Sequence, residues 1–309
     1  MKTYHRLKIK SLSPNHPIKL SRTIAQATNL AKKHHLYRNL NLSIAVDSWL
    51  TWFEVIGYTV ELEADIAAGR HPTERNNETE VILGDRLRHA LLRINPHISS
   101  AALQSTIRQL TALPKQNLLE NNLYLHKLLT QGIDITYIIN NQIISEKVWL
   151  IDAANLLNND WLVIHPFTIV ANHQTHQLDA VIFINGLPLA ILYNQKASAI
   201  NILKNNQDTL HKYIQNIPKL FFYNVFLVVT SGNRANLGTL TCKSTEFLPW
   251  HTIDGEDFTH PQETEIDVLI QGIFDKRRFL EIIKHSIVFE EDGVSYSKKL
   301  LRYHFCTVP

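Results

Sequence analysis

Cysteine is nearly absent from the 309 residues, with Cys242 and Cys306 the only two. Thiols so far apart give neither a disulfide framework nor a Cys-x-x-Cys metal motif, and their scarcity points to a reducing, cytoplasmic setting. Glycine (10) and proline (11) are lean as well. That excludes a low-complexity or collagen-like chain and disfavours a glycine-rich dinucleotide site. Long apolar runs are missing: the longest, AVIFI and LAILY, suit buried strands and fall far short of a bilayer span. The basic N-terminus lacks the apolar stretch of a secretory signal. No G-x-x-x-x-G-K-[ST] loop occurs, so the chain offers no ATP site. What is present is 45% hydrophobic and 19% charged, with mean hydropathy −0.11, the balance of a soluble globular protein of about two ordinary domains' length. A net charge of +3, with 16 histidines held neutral, permits a nucleic-acid partner without demanding one.

The periodicity changes along the chain. Residues 1–42 are basic and weakly patterned, an irregular lead-in. In the run 43–57, Val46, Trp49, Leu50, Phe53 and Ile56 share one helical face, with Gly57 as the stop. The spacing predicts further helices over 77–93, from Ser99/Ser100 to Leu110, and over 121–129. Then the period shortens. DITYIIN, VWLID, WLVIHPFTIV, LDAVIFI, LPLAILYN and FLVVT are short apolar segments bounded by Asn, Asp, Gly or Pro, and they read as a buried sheet. A helix over 199–216 and a helical tail with a charged end from 257 complete an α/β or α+β arrangement.

The most informative pair of strands is LDAVIFI-NG-LPLAILYNQ. Asn185-Gly186 is a hairpin signal, because a two-residue type I′ turn needs two residues that tolerate positive φ. Register arithmetic sets Asp179 beside Leu192 and Tyr193, while Tyr193 and Gln195, two apart, share a face. An acidic residue opposite an acid-x-Lys pair is the arrangement of Mg²⁺-dependent nucleases, in which carboxylates hold the ion and the lysine handles the attacking water. Here the first carboxylate is present, and the other two positions hold a phenol and an amide.

These residues carry a family resemblance. ERNNETEVILGDRLRHALLRINP (74–96), NNLYLHKLLTQGI (121–133), LIDAANLLNNDWLVIHPFTI (150–169), LDAVIFINGLPLAIL (178–192), YIQNIPKLFFYNVFLVVTSGNRANLGTLT (213–241) and FLPWHTIDG (247–255) resemble, in order, the N-terminal part of the R subunit of type I restriction enzymes. The resemblance implies a PD-(D/E)-x-K restriction-endonuclease-like core over 43–256, a mixed sheet flanked by helices, and a helical exit segment over 257–309 cut short before a translocase. It also implies Mg²⁺ as cofactor, with DNA and the methylase and specificity subunits as partners.

Carried over residue by residue, the likeness breaks at the chemistry. Asp179 keeps the first metal ligand, though Leu178 replaces the preceding proline. Tyr193 stands at the glutamate position and Gln195 at the lysine position. The family's Gln-x-x-x-Tyr helix keeps Tyr213 but has Thr209 where glutamine belongs, with Gln207 two residues early. An acidic residue of the early helix maps nearest to Asp47, a further candidate metal ligand. Losing one charge-stabilising group costs about 10²–10³-fold in rate, so the expectation is a shortened, catalytically degenerate endonuclease domain. The alternative is a non-catalytic module that binds DNA or docks on a restriction complex. A bulge swinging Lys196 inward would rescue activity, but a regular pleat turns it to the other face. Two other features read as ordinary surface: His165, His173 and His176 lack zinc-ligand spacing, and Lys276, Arg277 and Arg278 suggest either a solvated helix face or phosphate contacts.

Overall fold

The computed structural model describes residues 49–66, 75–112, 117–139, 141–194, 210–231, 234–253, 264–293 and 296–301. Two compact units divide the chain, residues 1–51 and 52–309. Only Trp49 to Thr51 of the first are described, as the start of helix α1 (Leu50–Val55). Asp47 lies outside the described residues, as do Gln195, Lys196, Gln207 and Thr209.

After α1, Gly57 turns the chain at φ +89° into β1 (Thr59–Leu62) and a single helical turn, α2 (Glu63–Ile66). Three longer helices follow: α3 (Gly84–Ile94), α4 (Ser100–Thr111) and α5 (Leu118–Gln131). Ser99 caps α4 by accepting the Ala102 amide at 3.3 Å, and Asn117 caps α5 by accepting those of Leu119 and Glu120. The helix expected over 77–93 begins only at Gly84. Its first part is held in turns by side-chain bonds that compete with helix: Asn77 accepts from the Thr79 amide, and the Glu80 carboxylate accepts from the Asn76 amide.

The strands are β2 (Ile133–Ile139), β3 (Gln142–Val148), β4 (Trp161–His165), β5 (Phe167–Ala171), β6 (Gln174–Leu178), β7 (Ala180–Ile184) and β8 (Leu187–Asn194). A short helix α6 (Pro218–Phe221) leads to β9 (Phe226–Ser231), β10 (Arg234–Gly238) and β11 (Leu248–Pro249). Helices α7 (Glu265–Ile273) and α8 (Lys276–Glu281) then precede a hairpin of β12 (Ile287–Glu291) and β13 (Tyr296–Leu300). That hairpin corrects the expectation of a helical tail with a merely charged end. Its signal, Asp292-Gly293 between alternating residues, is present in the sequence. VWLID is not a strand either: only its Val148 belongs to β3.

One mixed sheet organises these pieces, in the order β1-β4-β7-β8-β9-β10-β11. The β1/β4 and β8/β9 pairs are parallel and the remainder antiparallel. Every residue of β7 and of β9 is buried, as unbroken apolar runs covered on both faces should be. Beside them an aromatic cluster joins chain ends far apart: Phe53 and Phe226 lie 5.0 and 5.5 Å from Phe274, and Phe226 lies 5.1 Å from Phe279.

Within that cluster the buried Tyr58 hydroxyl donates to the Phe274 carbonyl at 2.9 Å. Tyr58→Phe leaves that acceptor dry and unpaired, a loss of about 1–3 kcal/mol. Urea unfolding should show the midpoint falling with an unchanged m-value; an unchanged midpoint would mean that water reaches the carbonyl.

Candidate functional site

The β7–β8 hairpin positions the site. Asn185 and Gly186 adopt φ of +55° and +76°, the left-handed pair that a two-residue turn requires. Its tip is fully buried and interlocked. The Asn185 side chain accepts from the Asp160 amide at 2.7 Å and donates to the Leu150 carbonyl and Asn159 Oδ1. Gly186 approaches the start of α3 so closely that its carbonyl accepts from the Leu83 amide at 3.0 Å.

A bulge then sets the register. Phe183 pairs with Pro188 but Ile182 with Ala190, leaving Leu189 unopposed. A bulge places two residues opposite one, so every later pair is displaced by one and Ala180 faces Leu192. The last pair thus sets Ala180, the residue after Asp179, opposite Leu192, the residue before Tyr193. Asp179 is also tied to this strand directly, its Oδ2 accepting the Asn194 amide at 2.8 Å. On the other side its carbonyl meets His165 Nδ1, at the end of β4.

Tyr193 and Tyr213, both half-buried, come together with ring centroids 5.9 Å apart, edge to face. Tyr213 lies in the helical stretch 210–216 and donates its hydroxyl to the Gln177 carbonyl at 3.1 Å. His176 meets the Tyr213 ring at 6.1 Å. Burial first, then the neighbouring Tyr193 and Asp179, raise the Tyr213 hydroxyl above its ordinary pKa. The structure thus brings Asp179, Tyr193 and Tyr213 into one corner at the open end of the hairpin. Gln195 and Asp47 belong to no described part of it.

A divalent ion of the Mg²⁺ type takes oxygen ligands, mostly carboxylates, to offset its dehydration. This corner supplies one carboxylate, already accepting a backbone N–H, and a neutral phenol packed on another ring. Among the described residues no group of three or more His, Cys, Asp or Glu side chains is placed to hold a metal. Among the described residues, that donor set supplies fewer carboxylates than Mg²⁺ ordinarily takes. His165, His173 and His176 form no cluster of that kind either.

A carboxylate that sequence reasoning missed, Glu63, sits one strand away beyond β4. It is saturated, taking Arg75 Nη2 at 2.7 Å and the amide and hydroxyl of Thr168. Arg75, buried and stacked 4.3 Å from the Phe167 ring, joins this pair to the separate two-stranded sheet β5–β6. Ion pairing between an isolated acid and an arginine twelve residues on has no periodic signature. The basic run at the start of α8 is largely committed too. Lys276 Nζ donates to the Gly57 carbonyl at 2.5 Å, and Arg278 Nη1 donates to the carbonyls of Ile253 and Gly272. Only Arg277 of the three is exposed.

The fold is a mixed α/β arrangement, a central mixed sheet flanked by helices, with the acid-bearing β7–β8 hairpin inside it. The family model described as the type I restriction enzyme R protein N terminus matches residues 44–246. The chain belongs to that family. It is 26% identical over 257 residues to the type I restriction enzyme HindI endonuclease subunit of Haemophilus influenzae, a match covering 81% of this chain and 24% of that protein. A putative type I restriction enzyme MjaIXP endonuclease subunit of Methanocaldococcus jannaschii is 25% identical over 257 residues, covering 76% of this chain and 24% of the relative. The chain therefore spans about a quarter of the length of the curated relatives it matches. Among the described residues no helix is long and apolar enough to cross a membrane.

Proposed function

We propose that residues 43–256 form a PD-(D/E)-x-K endonuclease-like domain of a type I restriction R subunit whose hydrolytic centre has degenerated, with 257–309 as its exit segment. One observation carries the reading. Tyr193, next to the Asn194 whose amide Asp179 accepts, holds a phenol where the family pattern needs a second carboxylate, and its ring is packed on Tyr213. A phenol, neutral in ordinary conditions, cannot share the charge of a divalent ion. Gln195, at the lysine position, cannot stabilise the negative charge that develops on a phosphodiester under attack. Duplex DNA and the methylase and specificity subunits are the partners that this reading implies, in the cytoplasm, and sequence choice falls to those other subunits.

Purified protein incubated with supercoiled plasmid and Mg²⁺ or Mn²⁺ is expected to leave the plasmid uncut. Robust nicking that disappears in Asp179→Ala would overturn the degeneracy. Nicking abolished by Lys196→Ala would instead show a rearranged active centre.

A further inference from the structure

The hairpin at the end of the described chain is fastened to the domain through one buried amine. Strands β12 and β13 pair from Ile287↔Leu300 to Glu291↔Tyr296 and form a two-stranded sheet of their own. Such a unit is marginal by itself, so its seat on the core decides whether it holds its shape. Lys298 of β13 is 1% exposed. Its Nζ donates to Asn122 Oδ1 on α5 at 2.8 Å and to the Asn224 carbonyl at 2.5 Å. The Lys298 backbone is held as well, its amide donating to Thr241 Oγ1 and its carbonyl accepting from the Thr239 and Thr241 hydroxyls. Asn122 in turn donates to the carbonyls of Phe221, Phe222 and Asn224. The amine thus closes a knot that joins the hairpin to α5, to the end of α6 and to the chain entering β9.

Two oxygen acceptors match the two hydrogens of a neutral amine, whereas an ammonium brings a full charge and a third hydrogen, which meets the face of the Phe289 ring 5.5 Å away rather than an oxygen. Among the described residues no carboxylate of the surrounding elements faces that charge. On the hairpin, Glu290 pairs with Lys299 on the exposed side, and Glu291 acts on Tyr296. On α5, Glu120 acts on Tyr296, and His126 adds a second titratable base. Glu246, ahead of β11, acts on Lys299. Phe289, opposite Lys298, places its ring 5.5 Å from the amine and 5.5 Å from the His126 ring. His126 Nδ1 is buried with no hydrogen-bond partner among the described residues.

We propose that Lys298 makes the β12–β13 hairpin a pH-graded latch, seated on Asn122 and Asn224 while the amine is neutral and released as it gains a proton. Burial holds the seated amine well below the ordinary lysine range. A freed lysine titrates near ~10.4. Below that pH the released hairpin binds a proton that the seated one refuses, so seating weakens as pH falls, by up to about tenfold per unit. His126, held down to about 4 chiefly by burial, acts in the same direction between its free value of ~6.5 and that limit. The latch rests on this geometry and not on the nuclease reading.

Hydrogen–deuterium exchange of the full chain between roughly pH 6 and 9, corrected for intrinsic exchange, tests it. Protection over 287–300 should rise at least about tenfold with pH, while the β7–β8 amides stay level. Lys298→Met, close in volume and without charge, should keep the hairpin protected and abolish the slope; Lys298→Gln serves the same purpose should the methionine variant misfold. A flat wild-type profile, or a slope that survives either substitution, overturns the proposal.

Discussion

Gly186→Ala is expected to destabilise the protein by about 2–5 kcal/mol, a fall in Tm of roughly 5–15 °C for a domain of this size. Two costs add. At φ +76° an alanine pays about 1–2 kcal/mol for the left-handed conformation. Its Cβ would also lie 2.5 Å from the Leu83 carbonyl oxygen and 2.8 Å from the Leu87 amide nitrogen. Both are backbone atoms at the start of α3, so neither can swing aside as a side chain would. Relieving such overpacking costs about 1–3 kcal/mol more. Gly293 supplies the control: its φ is +85°, yet a Cβ there meets nothing within 4 Å. Gly293→Ala should therefore lose only the conformational share. Thermal unfolding of the two variants side by side decides the matter. Equal losses would mean that the hairpin tip is not wedged against α3.

Restoring the family pattern should have the largest functional effect. Tyr193→Glu with Gln195→Lys is expected to raise Mn²⁺ affinity about tenfold or more, since one additional liganding carboxylate need contribute only about 1.4 kcal/mol for that gain. Two charge-stabilising groups regained at about 10²–10³-fold each would bring plasmid nicking into view. The corner itself makes this expectation specific, because Asp179 is bonded to the Asn194 amide next to residue 193. Without metal the two neighbouring carboxylates would repel, raising the pKa of one of them; the gain should therefore appear only when the ion is added. Isothermal titration reads the affinity, and circular dichroism checks that the variant has folded. A folded variant with no gain would show that residue 193 and Asp179 do not share a site.

Much of the architecture was legible in sequence because it is written in local signals. Asn185-Gly186 names its own turn, Ser99 caps a helix, and the continuous apolar runs at 180–184 and 226–231 announce strands buried on both faces. The hairpin β12–β13 was legible too, through Asp292-Gly293, but the preceding helical pattern masked it. The late start of α3 was harder, since Asn77 and Glu80 act through side-chain bonds that a hydrophobic period does not register.

By itself the sequence determined the hairpin, the presence of Asp179, and the tyrosine and glutamine at positions 193 and 195 that the proposed reading sets at the family's glutamate and lysine. Residue identity settles those, because a phenol and an amide have their chemistry in any fold. Tertiary structure alone decided the bulge that leaves Leu189 unopposed and sets Ala180 opposite Leu192, and it alone packed Tyr193 against Tyr213. It alone turned Lys276 and Arg278 toward backbone carbonyls and drew Lys298 out of water onto Asn122, 176 positions away. A bulge depends on how two strands pack against their neighbours, and burial on partners remote in the chain; neither leaves a period for the sequence to display.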